Sequence, residues 1–270
     1  MKICPAPWSP FSTAYLAGGR SEVVLQTADV EELFEGTALA PDAARAAGGV
    51  AVQEAIASGS TTSVTLLADT GTEKPLSLLI DVYRPARRLL IFGGAIDFSA
   101  SLAQLGGAFL GFHVTVCDAR SVFATAERIP AAHEIVVDQP ARYLQEEIAL
   151  GRLAPPDAAI CVLTHDAKFD VPVLDVALRH GFAYIGAMGS RRTASDRRER
   201  LIGLGHTDRS VGPLRSPIGL GLSASTPAET AVSIMAEIIA ARNQSSGLPL
   251  AHTSEPIHRD ALEHAGPKPH

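Results

Sequence analysis

Between Arg84 and Asn243, short apolar runs alternate with stretches in which apolar residues return every three or four positions. The runs are Arg88-Leu89-Leu90-Ile91-Phe92, His113-Val114-Thr115-Val116-Cys117, Glu134-Ile135-Val136-Val137, Ala158-Ala159-Ile160-Cys161-Val162-Leu163 and Ala183-Tyr184-Ile185. Their shortness and weak polar alternation predict strands, the fourth buried on both faces. Between them, Phe98, Leu102, Leu105 and Phe109 predict one helix and Tyr143 to Leu150 a second. Val173, Val176 and Ala177 mark the inward face of a third, with Asp170 as its cap and Pro172 in its first turn. A charged helix follows Gly186 to Arg192 and ends near Gly203 or Gly205. The last helix has a cap, a first-turn proline and a capping-box glutamate in Thr226-Pro227-Ala228-Glu229, ahead of an apolar segment from Val232 to Ala236.

Strands alternating with helices predict a parallel sheet covered on both faces, so residues 84–243 read as an α/β, Rossmann-like domain. Residues 1–83 read as a smaller N-terminal α+β domain. Ser63 to Leu67 and Leu76 to Val82 form a hairpin around Asp69-Thr70-Gly71, preceded by a helix from Ala44 to Ile56. Pro85 disfavours helix in the residue before it and marks a hinge. Residues 244–270, rich in Pro, His and Ser, read as a mobile tail, and the even spacing of His252, His258 and His264 is no metal-coordination pattern.

Composition narrows the functional classes. The 270 residues are 46% hydrophobic and 19% charged, which excludes a wholly disordered or fibrous chain. A net charge of −6 gives no general attraction to nucleic acid or to an anionic membrane. Three cysteines, Cys4, Cys117 and Cys161, are too few for a disulfide framework or a four-thiolate zinc site, and the two in strands read as buried thiols. No secretory signal is expected, and no run reaches the ~18 apolar residues of a membrane helix. The expectation is a cytoplasmic protein.

Ligands of an open parallel sheet bind beyond the carboxyl ends of its strands, and the notable polar residues fall there. Gly93-Gly94-Ala95 follows the first strand and reads equally as amides offered to a phosphate or as a plain tight turn, since Ala95 and Phe98 stand where a dinucleotide fingerprint has its second and third glycines. Asp118, 25 residues after Gly93, suits a ribose diol or a loop ion pair with Arg120. Thr164, His165 and Asp166 lie at the fourth strand's exit, where His165 reads as a ligand contact ahead of a catalytic base, and as a histidine fixed by local hydrogen bonds ahead of a metal ligand. Gly186-Ala187-Met188-Gly189-Ser190-Arg191-Arg192 is the strongest anion-site candidate, because two arginines in a helix's first turn oppose its macrodipole. Arg197, Arg198 and Arg200 read as a solvated face. Gly219-Leu220-Gly221 is either a close-approach loop or a turn. No nucleophile elbow, Walker loop or zinc-protease motif occurs, no catalytic residue can be named, and no metal site is expected.

Taken in order, these motifs resemble the XdhC/CoxI accessory proteins of molybdenum hydroxylases. The resemblance runs from about Pro85 to Arg242. It rests on Leu89 to Gly93, Cys117-Asp118-Ala119-Arg120, Leu163-Thr164-His165-Asp166 with Asp170, Tyr184 to Arg192, Pro217-Ile218-Gly219-Leu220, and Thr226 to Glu229 continuing through Ala236 to Ala240. It implies a chaperone with a Rossmann C-terminal domain that binds molybdenum cofactor, a phosphate-bearing pterin, for a client of the xanthine dehydrogenase or carbon monoxide dehydrogenase type. A homodimer is left open. The family's first glycine loop usually reads Gly-Ala-Gly-His, whereas this chain has Gly93-Gly94-Ala95-Ile96. Its N-terminal Gly-Gly-Cys is matched here by Gly48-Gly49-Val50, without the thiol, and a later Cys-Gly-Gly has no counterpart near Thr70-Gly71. Two other readings accommodate the same residues: an NAD(P)-dependent oxidoreductase, and a non-catalytic interaction protein with a degenerate nucleotide site.

Overall fold

The computed structural model describes residues 11–16, 22–25, 50, 51, 54, 62–66, 76–83, 86–94, 97–164 and 166–254. The chain divides into two compact units, Met1–Ala86 and Arg87–His270.

In the first unit, β1 (Phe11–Leu16), β2 (Glu22–Leu25), β3 (Thr62–Leu66) and β4 (Leu76–Tyr83) form an antiparallel sheet in the order β2-β1-β4-β3. The expected hairpin is β3 paired with β4, while its Asp69-Thr70-Gly71 turn lies outside the described residues. The other two strands carry no such local signal. β1 has no continuous apolar run, and it is held by pairing with β4, Phe11 opposite Tyr83, a partner some seventy residues away. Of the predicted helix from Ala44 to Ile56, only residues 50, 51 and 54 are described, and they are helical.

The second unit is a six-stranded parallel sheet ordered β10-β9-β8-β5-β6-β7. Its strands are β5 (Arg88–Phe92), β6 (His113–Cys117), β7 (Glu134–Val136), β8 (Ala158–Val162), β9 (Tyr184–Ala187) and β10 (Leu214–Arg215). Its helices are α1 (Asp97–Gln104), α2 (Pro140–Ala149), α3 (Ala167–His180), α4 (Arg191–Gly203), the single turn α5 (Asp208–Val211) and α6 (Pro227–Arg242). Alternation along the strands sorts the core into two layers. Leu90, Phe92, Ile160 and Val162 pack with Leu144, Val173 and Leu201 from α2, α3 and α4. Leu89, Ile91, Ala159 and Cys161 pack with Leu102, Ile234 and Met235 from α1 and α6.

Local signals set most boundaries. Thr226 caps α6 and closes the capping box with Glu229, as read from the sequence. One apolar position is a correction: Phe109 is 73% exposed. After α1 the chain continues as a π-helical turn, Leu105–Phe109, and the extra residue rotates the later positions by roughly 100° away from the α-helical face. Gly106 lies in that turn, where a Cβ would stand 2.6 Å from Leu89 Cδ2, so the turn seats against the sheet without a side chain. β10 is not foreshadowed in the sequence, since two residues carry no period. Of the expected tail, residues 245–254 are described and largely exposed, with one 3-10 turn at Leu250–His252; residues 255–270 lie outside the described residues.

Candidate functional site

Counted outward from β5, the order of the second sheet is that of a doubly wound nucleotide-binding domain. Its winding reverses between β5 and β8, where such sheets open a ligand crevice at the carboxyl edge. Backbone pairing continues past the strand ends and keeps the exits in step. Gly93 N donates to Cys117 O, Leu163 N to Phe92 O, Met188 N to Val162 O and Ile218 N to Ala187 O. Gly93, Asp118, Thr164, Asp166, Gly189 and Ser190 therefore share one edge, while Ala95 and His165 lie outside the described residues. A shallow hollow lined by Arg87, Tyr184, Ile238 and Arg242 sits at the opposite, amino edge.

Gly93 and Gly94 are packed in by their own domain. Gly93 has φ +113°, and a Cβ there would stand 2.9 Å from Thr164 N; the Ser99 hydroxyl donates to the Gly93 carbonyl. Gly94 N donates to Asp118 Oδ2 at 2.9 Å, and a Cβ on Gly94 would stand 2.5 Å from the Phe123 carbonyl oxygen. Asp118, open to two roles in the sequence, forms the ion pair. Oδ1 accepts from Arg120 N and Nε, and Oδ2 from Arg120 Nη2, each at 3.0 Å. Burial pushes the Asp118 carboxyl up, but the Arg120 guanidinium and the amides of Arg120 and Gly94 outweigh it and hold the group below its ordinary value.

A second polar centre ties the exits of β8, β9 and β10 together. Asp166 caps α3 by accepting from Lys168 N. This corrects the expectation of a cap at Asp170. That side chain instead turns inward, where Oδ1 accepts from Thr164 Oγ1 at 2.6 Å and Oδ2 from Arg197 Nη2 at 2.9 Å. Arg197 also donates to Met188 O and to Ser216 Oγ. Both charged side chains are only 3% exposed, so Arg197 is not part of a solvated face. The signal for it is positional. Ala194, Arg197 and Leu201 follow the three-and-four spacing of an inward face on an otherwise polar helix. On the far side of the sheet, Glu237 Oε2 accepts from Tyr184 Oη and from Gly219 N, and a Cβ on Gly219 would meet Ser233 Oγ at 2.5 Å, so this is a close-approach loop.

The exit of β9 behaves oppositely to that of β5. Gly186 is packed under Ile218, Gly189 takes φ +148°, and Ser190 caps α4 by accepting from Thr193 N. Arg191 and Arg192 follow in the first turn, which holds no acidic residue, and both are exposed. Neither is paired among the described residues. An oxyanion at this helix start would relieve the conflict between those first-turn cations and the helix dipole. The thiols offer no comparable chemistry. Burial pushes Cys117 up to about 12 and Cys161 higher still, so both stay protonated inside the sheet. Among the described residues, no group of three or more His, Cys, Asp or Glu side chains could hold a metal ion.

Fold and strand order define a Rossmann-type α/β protein in which Gly93 and Gly94 are packed from within while the first turn of α4 carries two exposed arginines. Residues 89–238 match the XdhC Rossmann domain, and the chain belongs to that family. It is 32% identical over 172 residues to a probable xanthine dehydrogenase subunit of Bacillus subtilis (strain 168), covering 64% of this chain and 48% of that one. It is 28% identical over 160 residues to the molybdenum cofactor insertion chaperone PaoD of Escherichia coli (strain K12), covering 59% and 42%. The chain thus spans less than half the length of these relatives. A crystal structure of a xanthine dehydrogenase from Bacillus halodurans superposes with a TM-score of 0.53 at 21% identity, covering 87% of this chain and 90% of that one, which shows a shared fold. None of the described helices is long and apolar enough to cross a membrane.

Proposed function

We propose that this chain is an accessory protein in the maturation of molybdenum hydroxylases and holds a phosphate-bearing pterin cofactor at the carboxyl edge of its parallel sheet. The observation that carries this reading is the family match over 89–238, which spans the strand exits described above, in a chain similar to a molybdenum cofactor insertion chaperone. The residues fit one end of such a ligand. The amides after Gly189 with Arg191 and Arg192 would bind the phosphate, and the Asp170–Arg197 pair would hold that loop in place. A thiolate for the metal is not offered by Cys117 or Cys161, which are buried and protonated. When bound, the cofactor carries the molybdenum redox chemistry that a client enzyme uses; this chain's part is to bind, orient and release it. The client is proposed to be of the xanthine dehydrogenase or carbon monoxide dehydrogenase type.

The test is to mix the purified chain with molybdopterin released from a denatured molybdenum enzyme, separate by gel filtration, and read the pterin by fluorescence after oxidation. Stoichiometric co-elution is expected, falling at least about tenfold in Arg191→Ala/Arg192→Ala, as lost charge-assisted contacts require. No co-elution with the unaltered chain would overturn the reading.

A nicotinamide dinucleotide is the second reading, favoured by the strand order. Its usual seat is compromised: Asp118 would have to release Arg120 to accept a ribose diol, and Gly94 N already has a carboxylate partner. Calorimetric titration with NAD and NADP separates the two readings, since heat from either would favour this one.

A further inference from the structure

Arg120 does more than neutralise Asp118. Its Cζ lies 4.5 Å from the Phe123 ring centroid and 5.9 Å from that of Phe169. Phe123 follows β6 and Phe169 belongs to the first turn of α3, which follows β8. β5 lies between β6 and β8 in the sheet, so the guanidinium spans the β5 exit from one lip of the crevice to the other. Each ring carries a second cation: Arg128 lies 5.7 Å from the Phe123 centroid and Lys168 Nζ 5.5 Å from that of Phe169. An arginine side chain that is 41% exposed ordinarily samples many rotamers, but here the two-point grip of Asp118 and the ring beside it fix the plane. The result is a guanidinium held over the Phe123 ring, with the Phe169 ring also 5.9 Å away, both rings half-buried at the crevice mouth.

We infer that the Arg120 guanidinium, backed by Phe123 and Phe169, forms a stacking platform for a planar heterocycle, with Arg128 and Lys168 adding positive charge around it. Arginine planes and aromatic rings stack on heterocycles, and cations over ring faces add attraction. The closed packing of Gly93 and Gly94 fits this use, with the ligand's phosphate at the start of α4 and its ring on the platform. The inference rests on the proposed function in taking the ligand to be a phosphate-bearing heterocycle, without depending on which one. A nucleobase and a pterin share the needed chemistry, and a set of phosphate probes distinguishes them.

The experiment titrates the full chain with ribose 5-phosphate, AMP, CMP and 6-hydroxymethylpterin monophosphate by calorimetry. It is repeated on Arg120→Lys, which keeps the charge and loses the plane, and on Phe123→Leu and Phe169→Leu, which keep apolar bulk and lose the rings. The expected result is that at least one ring-bearing phosphate binds about tenfold more tightly than ribose 5-phosphate. This advantage should shrink severalfold in each variant while ribose 5-phosphate affinity holds, with the melting temperature also held in Phe123→Leu and Phe169→Leu. An advantage that is absent from the unaltered chain, or that survives all three substitutions, overturns the platform. Failure of the phosphate reading looks different: ribose 5-phosphate affinity would be nil, or unmoved by Arg191→Ala/Arg192→Ala, whatever the ring-bearing probes do.

Discussion

The exits of β5 and β9 both carry two glycines, yet they meet opposite fates. At Gly93-Gly94 the freed space is filled from within, by Thr164, the Phe123 carbonyl and the Asp118 carboxylate, and no amide of Gly94 is left for a ligand. At Gly186 to Arg192 the first glycine is spent on packing under Ile218, while the second turns the chain into a helix whose first-turn arginines stay exposed. Glycine only permits close approach; what approaches is decided by the neighbouring strand. The difference also divides the labour of the edge, with internal ion pairs sealing and bracing it and exposed cations facing outward.

Attacking the brace should have the largest effect. Arg197→Ala leaves Asp170 buried without its guanidinium partner and is expected to cost about 3–5 kcal/mol in urea denaturation. The double change Asp170→Leu/Arg197→Met should recover much of that loss. If Arg197→Ala proves nearly neutral, the pair does not brace the β8 and β9 exits.

Next in size is the packed loop at Gly93-Gly94. Gly94→Ala forces a Cβ to within 2.5 Å of a backbone oxygen and is expected to cost about 1–3 kcal/mol, whereas an alanine at the open Gly203 should not destabilise beyond about 0.5 kcal/mol. Equal costs at the two sites would break the contrast.

Acid should loosen the same loop. Asp118 has a folded pKa below its ordinary 3.8, so its contribution to stability is fully present above that value and is lost as pH falls through the lower, folded one. Melting temperatures of the unaltered chain and of Asp118→Asn should therefore converge in strong acid and diverge toward neutrality. The smallest effect on stability belongs to the outward-facing cations. Arg191→Ala/Arg192→Ala should change stability by no more than about 0.5 kcal/mol, with any gain arising from relief of the helix dipole, while lowering phosphate affinity.

Much of the second unit was legible in the sequence because burial on both faces writes a near-continuous apolar run, and β5 and β8 are such runs. The α6 cap was legible for a related reason: Thr226, Pro227 and Glu229 satisfy one another within four residues. Arg197 was not, since a charged residue in a charged helix looks solvated until the carboxylate 27 residues earlier is brought beside it. Phe123 and Phe169 likewise became partners of Arg120 only when β6 and β8 were set on either side of β5.

By itself, then, the sequence determined periodicity, caps and the strand exits at which polar residues would gather, all of which depend on neighbours a few positions away. The tertiary structure decided which glycine amides were already taken, which arginine was buried, and that Asp118 grips Arg120. The physical reason is that a polar group's environment is set by whatever the fold packs against it. For Gly94, Asp170 and Tyr184 those partners come from other strands and helices, beyond the reach of any local pattern.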